Sequence, residues 1–382
     1  MRILHTTHSY APEVSGVAEV VSQISTRLRR RGYEVHVATA AVCHTPQEET
    51  LNKVHVYRFK VEGNAVLGMT GDVDRYVHFV QSESWDVVAM HCAQGWTIDA
   101  LLPYLDHIKA AKIFVGHGFS AYHDPIYRSY FHSLAKSLTK VDKIVALSDL
   151  LEEGPFCAKH RLPTPQIISN GVDIAAWDVP TRDIRHRWGI ARRPWLLSVS
   201  HHSRVKGHPT FFKVLREIRT RLPGAMGTIV GGHYPAAKWK LGRLGIKGGC
   251  WYRCWLASAL GCDAELRWNV PRADVVSAVQ EADIVLVTSS REASPLVVLE
   301  SMAAGTPWIS FNVGCVRENA GGIVVGSREE MAACVVELLG NPNQRQMLAQ
   351  KGRKEVREKH DWELITIQYE QLYKTILQTR RN

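Results

Sequence analysis

The feature that most constrains the fold is a repeated alternation of short apolar segments with amphipathic helices along the chain. The apolar segments are rich in β-branched residues, as are strands that are buried on both faces of a sheet. In the first half, the predicted strands are Arg2–Thr6, Glu34–Ala38, Asp86–His91, Lys112–Val115 and Lys143–Ala146. Strands separated by helices pair in parallel and are covered by those helices on both sides. We therefore expect an α/β protein built on parallel sheets.

The first predicted helix, Val17–Arg31, shows the other half of the pattern. Its apolar residues fall on one face, and arginines collect at its C-terminal end, where positive charge is favourable against the helix dipole. Gly32 follows as the expected stop.

The alternation starts again near residue 194. The predicted strands are now Pro194–Ser200, Gly227–Val230, Ala282–Thr288 and Thr306–Phe311, and the predicted helices include Gly207–Arg221 and Leu296–Ala304. A pattern that restarts indicates two Rossmann-like halves. Ligands of such folds bind at the carboxyl ends of the strands, so we expect an active cleft between the halves.

These observations predict three parts of the chain. Residues 1–175 form an N-terminal Rossmann-like domain and residues 176–360 a C-terminal one, while 361–382 form a helix that crosses back onto the first domain. The charged segment Asp173–Arg193, which carries Pro180, is predicted to be the linker.

Composition limits the class of protein. Of 382 residues, 45% are apolar and 22% charged, as in ordinary globular proteins, and no apolar run approaches the roughly 20 residues that cross a bilayer. The N-terminus loses its hydrophobicity too early for a signal peptide, and scattered cysteines favour reduced thiols in the cytoplasm. Cys250, Cys254 and Cys262 are poorly spaced for zinc, so we expect no metal.

The net charge of +10 calls for an anionic partner or surface. Nucleic acid is not expected, because the chain has no zinc finger, RRM signature or helix-turn-helix pattern. A nicotinamide-dependent dehydrogenase is set aside because no G-x-G-x-x-G follows the first strand.

The segment from Ser289 to Pro307 carries the clearest chemistry. Ser294 is a good N-cap and Pro295 suits the first helical position, so the amides of Leu296 and Val297 would face outward at a helix start, where anions bind. Glu300 follows in the first two turns, and its carboxylate can accept hydrogen bonds from sugar hydroxyls. Amides for phosphate beside a carboxylate for hydroxyls suggest a nucleotide-sugar site.

Several motifs, in order, resemble one family. They are the paired glutamates Glu292 and Glu300, the segment Ser169–Asp173, the basic loop Ser198–His208, and the helix end Leu28–Val35. With these motifs the chain resembles the retaining glycosyltransferases of family 4, which have the GT-B fold of two Rossmann-like domains. The resemblance covers nearly the whole chain.

The resemblance implies roles in the C-terminal half. Lys206, supported by Arg204 and by the helix start at Ser294, Leu296 and Val297, would bind the donor diphosphate, and no metal would be required. The family places an arginine earlier in the basic loop, where this chain has His201 and His202, so the identity of the diphosphate arginine is left open.

The two family glutamates have separate implied roles. Glu300 would bind the ribose, and Glu292 would lie near the donor sugar. Because Glu300 is committed to ribose, a covalent glycosyl-enzyme is not expected, and the resemblance implies same-face substitution with the leaving phosphate taking the acceptor's proton.

The N-terminal half offers fewer candidates. His117 lies between two glycines after a predicted strand and matches the family's sugar-contacting histidine. Gly16 would let the backbone approach the donor, although Ser15 replaces the first of the family's two glycines. His91 ends another strand, and its role is left open.

The segment His233–Cys262 is longer than in the family and contains no acidic residue. It carries Lys238, Lys240, Arg243, Lys247 and Arg253 together with Trp239, Trp251, Tyr252 and Trp255. Basic and aromatic residues together suit an anionic membrane surface. The alternative is a helical elaboration with its tryptophans packed inward.

The sequence thus predicts a retaining, metal-independent transferase that uses a UDP-, GDP- or ADP-sugar and no cofactor. Its acceptor would be a glycan or a lipid-linked sugar in envelope or exopolysaccharide synthesis, and it would be cytoplasmic, with peripheral binding at the inner membrane face. The alternatives are a nucleotide-sugar epimerase or hydrolase of the same fold and a non-catalytic sugar-nucleotide-binding protein.

Overall fold

The computed structural model describes residues 1–190, 193–232, 254–256 and 264–381. The chain divides into two compact units. The first comprises Met1–Gly171 together with Trp362–Asn382, and the second comprises Val172–Asp361.

The strands of the first unit are β1 Arg2–Thr6, β2 Glu34–Ala40, β3 Glu48–Leu51, β4 Val54–Phe59, β5 Val61–Asn64, β6 Gly68–Gly71, β7 Val87–His91, β8 Ala111–Val115, β9 Lys143–Ala146 and β10 Gln166–Ile167. Eight of them form one sheet with the order β10-β9-β8-β7-β1-β2-β4-β3. All neighbours in this sheet are parallel except β3 and β4, which are antiparallel. A separate antiparallel pair is formed by β5 and β6.

Helices cover this sheet. They are Gly16–Arg30, Val73–Ser82, Trp96–Asp99, Arg128–Leu138 and Glu153–Lys159, with short 3₁₀ helices at Leu102–His107 and Pro125–Tyr127. The first helix is capped by Ser15, whose hydroxyl accepts a hydrogen bond from the amide of Ala18 at 3.1 Å. Its buried face carries the apolar residues expected from the sequence.

The strands of the second unit are β11 Trp195–Val199, β12 Met226–Gly231, β13 Ala264–Trp268, β14 Ile284–Val287, β15 Trp308–Phe311 and β16 Gly322–Val325. They form a six-stranded parallel sheet with the order β13-β12-β11-β14-β15-β16. The described helices are Ile184–Arg187, His208–Arg221, Arg272–Glu281, Leu296–Ala304, Arg328–Gly340 and Pro342–Lys359, with 3₁₀ helices at Ile174–Ala176, Arg204–Lys206 and Val316–Glu318. Two apolar clusters fill the unit.

The prediction that Asp173–Arg193 is a linker is wrong for residues 173–190, the part of this segment that the structure describes. Trp177, Ile184 and Trp188 of this segment are buried in a core cluster of the second unit. Arg187 also pairs with Asp274 at 3.0 Å, which ties the segment to the helix Arg272–Glu281. Charged residues made the segment look like a linker, but its apolar side chains contribute to a folded core.

The last helix, Trp362–Arg381, belongs to the first unit and packs against the helix Gly16–Arg30. Its buried Glu370 accepts hydrogen bonds from Tyr33 and Arg31, each at 2.5 Å. Tyr369 and Tyr373 of this helix are also buried. Its buried tyrosines and the hydrogen bonds of Glu370 therefore hold the helix in place within the first unit.

Across the described residues, no helix combines the length and hydrophobicity needed to cross a bilayer. Apart from residues 254–256, the basic and aromatic segment His233–Cys262 lies outside the described residues.

Candidate active site

The strand order of the second unit marks where a site can form. The central strand β11 is followed in sequence by its neighbour β12 on one side, whereas β14 lies on its other side. The chain therefore leaves β11 and β14 in opposite directions, and the loops that follow them open a crevice at the carboxyl edge of the sheet. These loops contain residues 200–207 and 288–295. Of the site residues predicted from the sequence, Arg204, Lys206, Glu292 and Ser294 lie in them.

The two loops are fastened to each other by backbone contacts. Gly207 has a φ of 66°, and a Cβ there would lie 1.9 Å from the carbonyl oxygen of Thr288. The amide of Ser290 donates to the carbonyl of Val205 at 2.8 Å, and the Thr288 hydroxyl donates to the carbonyl of Lys206 at 3.3 Å. Only glycine combines this positive φ with so close an approach.

This arrangement sets Lys206 against Glu292. The Lys206 Nζ lies 2.7 Å from one carboxylate oxygen of Glu292 and 2.9 Å from the other. Both side chains are mostly buried, with 26% and 11% of their surfaces exposed. An ammonium group has three N–H donors, so Lys206 can keep this ion pair and still donate to a phosphate oxygen.

The helix Leu296–Ala304 begins beside this ion pair. Pro295 is its cap residue, so the cap lies one residue later than the predicted Ser294. The Ser294 side chain hydrogen-bonds to the thiol of Cys315. Leu296 and Val297 are the first two helical residues, and their amides have no carbonyl acceptor within the helix. Both amides therefore lie unpaired within the helix at its start, and the anion binding predicted for them stays a prediction.

Glu300 lies in the second turn of this helix and forms an ion pair with Arg272. The guanidinium of Arg272 also lies over the ring of Trp177, 5.3 Å from its centroid. Sequence reasoning missed Arg272, because nothing in its neighbourhood marks it as a partner of a residue so far along the chain. Ribose hydroxyls that bind Glu300 would share its carboxylate with this arginine.

The basic loop separates its candidates by exposure. Arg204 is exposed on the 3₁₀ helix Arg204–Lys206, whereas His202 is buried with its ring 4.1 Å from that of Trp268. His201 is half-buried. Among Arg204, His201 and His202, which were considered for binding the donor diphosphate, Arg204 is therefore the most exposed side chain.

The first unit holds a chain of three histidine rings at the carboxyl ends of β1, β7 and β8. His5 Nδ1 lies 2.9 Å from His91 Nε2, and His91 Nδ1 lies 2.9 Å from His117 Nε2. His5 and His91 are fully buried, and His117 is half-buried. His91 is thus a bridge between two rings, and His5 was not considered from the sequence.

The histidine chain is uncharged at neutral pH. Burial lowers the pKa of His5 to about 3, and burial together with His8 lowers the pKa of His117 to about 3. Burial and the two neighbouring rings also lower the pKa of His91 well below its usual value. Each ring–ring hydrogen bond needs one N–H and one lone pair, so the tautomer of His117 depends on those of His91 and His5.

Glu153 supports the turn that presents His117. Its Oε1 accepts a hydrogen bond from the amide of Gly118 at 2.6 Å, and a Cβ on Gly116 would lie 2.2 Å from the same oxygen. The side chain is fully buried, and burial raises the pKa of Glu153 to about 7. The glycine on each side of His117 thus leaves room for a buried carboxyl group beneath the turn.

Gly16 is the first residue of the helix Gly16–Arg30, and a Cβ there would meet no atom within 4 Å. The protein's own packing does not require glycine here. The open space is compatible with the predicted approach of a ligand.

Two family profiles match this chain. Residues 14–176 match the profile described as Glycosyltransferase Family 4, and residues 181–355 match the one described as Glycosyl transferases group 1. Together the two matches span both structural units.

Curated relatives match over nearly full length at low identity. Glycogen synthase of Mycobacterium tuberculosis is 24% identical, with 98% of this chain and 94% of the relative covered. N-acetyl-alpha-D-glucosaminyl L-malate synthase of Bacillus anthracis is 22% identical, with 97% of each covered.

Solved structures show the same fold. Sucrose-phosphate synthase from Thermosynechococcus elongatus superposes with a TM-score of 0.82 at 17% identity, covering 99% of both chains. Anabaena HepE in complex with UDP and glucose superposes with a TM-score of 0.76 at 16% identity, covering 98% of this chain and all of that one.

The first prediction concerns the contact between the two loops of the second unit. Gly207→Ala would force a Cβ against the Thr288 carbonyl and strain a positive φ, so we expect a loss of about 1–3 kcal/mol in the free energy of unfolding. Urea unfolding measures this loss. Gly224→Ala is the matched control, since a Cβ there meets no atom within 4 Å. Equal stability of the two variants would contradict the proposed contact.

The second prediction concerns Glu153. Its folded pKa of about 7 exceeds the unfolded value near 4.3, so the stability it contributes is present below about pH 4.3 and is lost as the pH rises through 7. Glu153→Gln retains an acceptor for Gly118 but has no proton to lose. We expect wild type to lose about 2–3 kcal/mol relative to this variant between pH 5 and 8, measured by denaturant unfolding.

The control is the exposed Glu62→Gln, which should follow the wild-type pH profile. Parallel profiles for wild type and Glu153→Gln would show that the carboxyl group does not titrate as proposed.

Proposed function

Because this chain belongs to glycosyltransferase family 4 and has the GT-B fold, we propose that it transfers a sugar, with retention of configuration, from a nucleoside diphosphate to a glycan or lipid-linked acceptor. The observation that carries the proposal is the ion pair of Lys206 and Glu292, which lies beside the start of the helix that bears Glu300. Cation, helix amides and carboxylate are what a nucleotide diphosphate with a ribose requires.

In the proposed reaction, the bond between the anomeric carbon and the leaving phosphate oxygen breaks. The acceptor oxygen bonds to the same face of that carbon, and the acceptor's proton passes to the departing phosphate. Negative charge therefore grows on the diphosphate, where Lys206, Arg204 and the amides of Leu296 and Val297 stabilise it. With these groups supplying the positive potential, the transfer does not require a divalent metal.

The remaining residues orient the donor. Glu300 binds the ribose hydroxyls, and the Glu292 carboxylate holds the Lys206 ammonium in place and faces the donor sugar. His117, being neutral, exchanges hydrogen bonds with sugar hydroxyls without acting as a cation. The Ser15 cap fixes the helix start at Gly16, where the backbone is open to the donor.

We propose uracil as the base of the donor nucleotide, because solved structures of the same fold contain UDP or UDP-sugars. Anabaena HepE has been solved with UDP and with UDP-glucose, and a trehalose-6-phosphate protein from E. coli of the same fold has been solved bound with UDP-2-fluoro glucose. UDP is therefore the first nucleotide to test, ahead of GDP and ADP. The proposed acceptor is a glycan or lipid-linked sugar of envelope or exopolysaccharide synthesis, and the transfer takes place in the cytoplasm.

The test of the donor site is thermal unfolding with UDP, GDP, ADP, TDP and their sugars in the presence of a chelator. A ligand at about 100 times its Kd adds about 2.7 kcal/mol, which raises the melting temperature of a unit this size by about 5–10 °C. We expect one nucleotide to do so in wild type, and Glu300→Ala to lose most of the shift. The exposed Glu358→Ala is the control that keeps it.

Two outcomes would contradict the donor site. Either no nucleotide stabilises the protein, or Glu300→Ala responds like wild type. Incubation with the nucleotide sugar but no acceptor tests for the other activities, since full turnover then indicates a hydrolase or epimerase. A protein that binds the nucleotide sugar but turns it over neither with nor without added acceptors is non-catalytic.

Peripheral membrane binding through His233–Cys262 stays a prediction from the sequence. The test is flotation with vesicles containing anionic lipid. We expect wild type to float and charge reversal of Lys238, Lys240, Arg243, Lys247 and Arg253 to abolish flotation, because the electrostatic attraction is lost. The control reverses the exposed residues Arg30, Lys53, Lys136, Lys351 and Lys354. Flotation that is equal in the two variants would rule out this segment as the membrane contact.

A further inference from the structure

Three metal-binding side chains converge beside the loop that carries Lys206. His202 follows β11, His208 is the first residue of the helix His208–Arg221, and Cys254 comes from a segment 46 residues further along. One ligand atom from each lies within 4.8 Å of the other two, and all three residues are buried, between 0% and 7% exposed. Polar groups so deeply buried are normally hydrogen-bonded, and the neighbours of each of these three include the other two.

The distances suit a metal ion. His208 Nδ1 lies 3.1 Å from His202 Nδ1, and without a metal one of the two nitrogens donates its N–H to the lone pair of the other. Two nitrogen ligands of a tetrahedral zinc ion, each about 2.0–2.1 Å from the metal, are about 3.3 Å apart. The two rings therefore need little movement to bind one ion between them.

A further hydrogen bond fixes the ring of His208. Its Nε2 lies 2.7 Å from the hydroxyl of Ser200. When Nε2 donates to that oxygen, the proton is on Nε2 and the Nδ1 lone pair faces His202 Nδ1. Histidine ligands of metals regularly donate their second ring nitrogen to such a partner, which sets the tautomer and the ring orientation.

The ligand chemistry selects the ion. Two imidazoles and a thiol, with no carboxylate in the group, favour zinc over magnesium or calcium. The centroid of the Trp268 ring lies 4.1 Å from that of the His202 ring, so an aromatic side chain packs against this ligand. The poor spacing of the cysteines in the sequence argued against zinc, but it said nothing of two histidines that are distant from Cys254 in sequence.

We propose that His202, His208 and Cys254 bind one Zn²⁺ ion, with Nδ1 of each histidine and the Cys254 thiolate as ligands. The thiol proton is released on binding. A fourth ligand such as water completes the tetrahedron. The ion has a structural role: it fixes the start of the helix His208–Arg221 and the loop 200–207 to the segment at Cys254. This site is separate from the proposed donor chemistry and does not depend on it.

The test is metal binding by the full-length protein without a histidine tag, stripped with a chelator and titrated with Zn²⁺ or Co²⁺ alone. We expect one zinc per chain by mass spectrometry, a higher melting temperature with zinc, and a thiolate-to-cobalt absorption band with Co²⁺. Cys254→Ser should lose the band and the thermal shift. Cys334→Ser, which alters a thiol packed on the same apolar cluster, should retain both.

Two further variants keep the test decisive if Cys254→Ser folds poorly. His202→Asn should also lose the bound metal, and Ser200→Ala should weaken zinc affinity about 10- to 100-fold while leaving the stoichiometry at one. The proposal is overturned if wild type takes up no zinc, in which case the group is a hydrogen-bonded histidine pair beside a buried thiol. It is equally overturned if Cys254→Ser and His202→Asn bind zinc as tightly as wild type.

Discussion

The candidate site of the second unit depends on one close approach between two stretches of backbone. Gly207 lies against the Thr288 carbonyl, and the neighbouring hydrogen bond from Ser290 to Val205 holds the two loops together. Because both loops leave the same edge of the sheet, this contact sets Lys206 opposite Glu292 before any ligand is present. The cation is thus positioned by the fold, which removes part of the entropy that a ligand would otherwise have to overcome.

The buried strands were the most predictable part of the fold. Arg2–Thr6 and Lys143–Ala146 were predicted with the bounds that the structure has, and so was the helix Leu296–Ala304. These segments are apolar runs whose ends are marked by polar residues, glycine or proline, so pattern and structure coincide. The strand near residue 284 was predicted two residues too long at its start, because Ala282 is apolar but ends the preceding helix as its cap.

Side-chain partners were not predictable, for a physical reason. Which acid meets which base depends on sheet order and loop geometry, and neither can be read from spacing along the chain. Lys206 and Glu292 are 86 residues apart, and His5 is 86 residues from His91. Asp173–Arg193 misled for a related reason, since its charge suggested solvent exposure while its tryptophans were available to a core.

The helix Trp362–Arg381 has a consequence for the order of synthesis. It belongs to the first unit, yet the whole second unit lies between it and Gly171, as a continuous insertion. The two ends of that insertion are bonded, the Val172 amide donating to the His360 carbonyl at 2.7 Å. During synthesis, the surface of the first unit against which Tyr369 and Tyr373 pack stays uncovered until the second unit has been translated. The first unit, although its strands are translated before the second unit, can therefore complete its folding only after the second unit has been made.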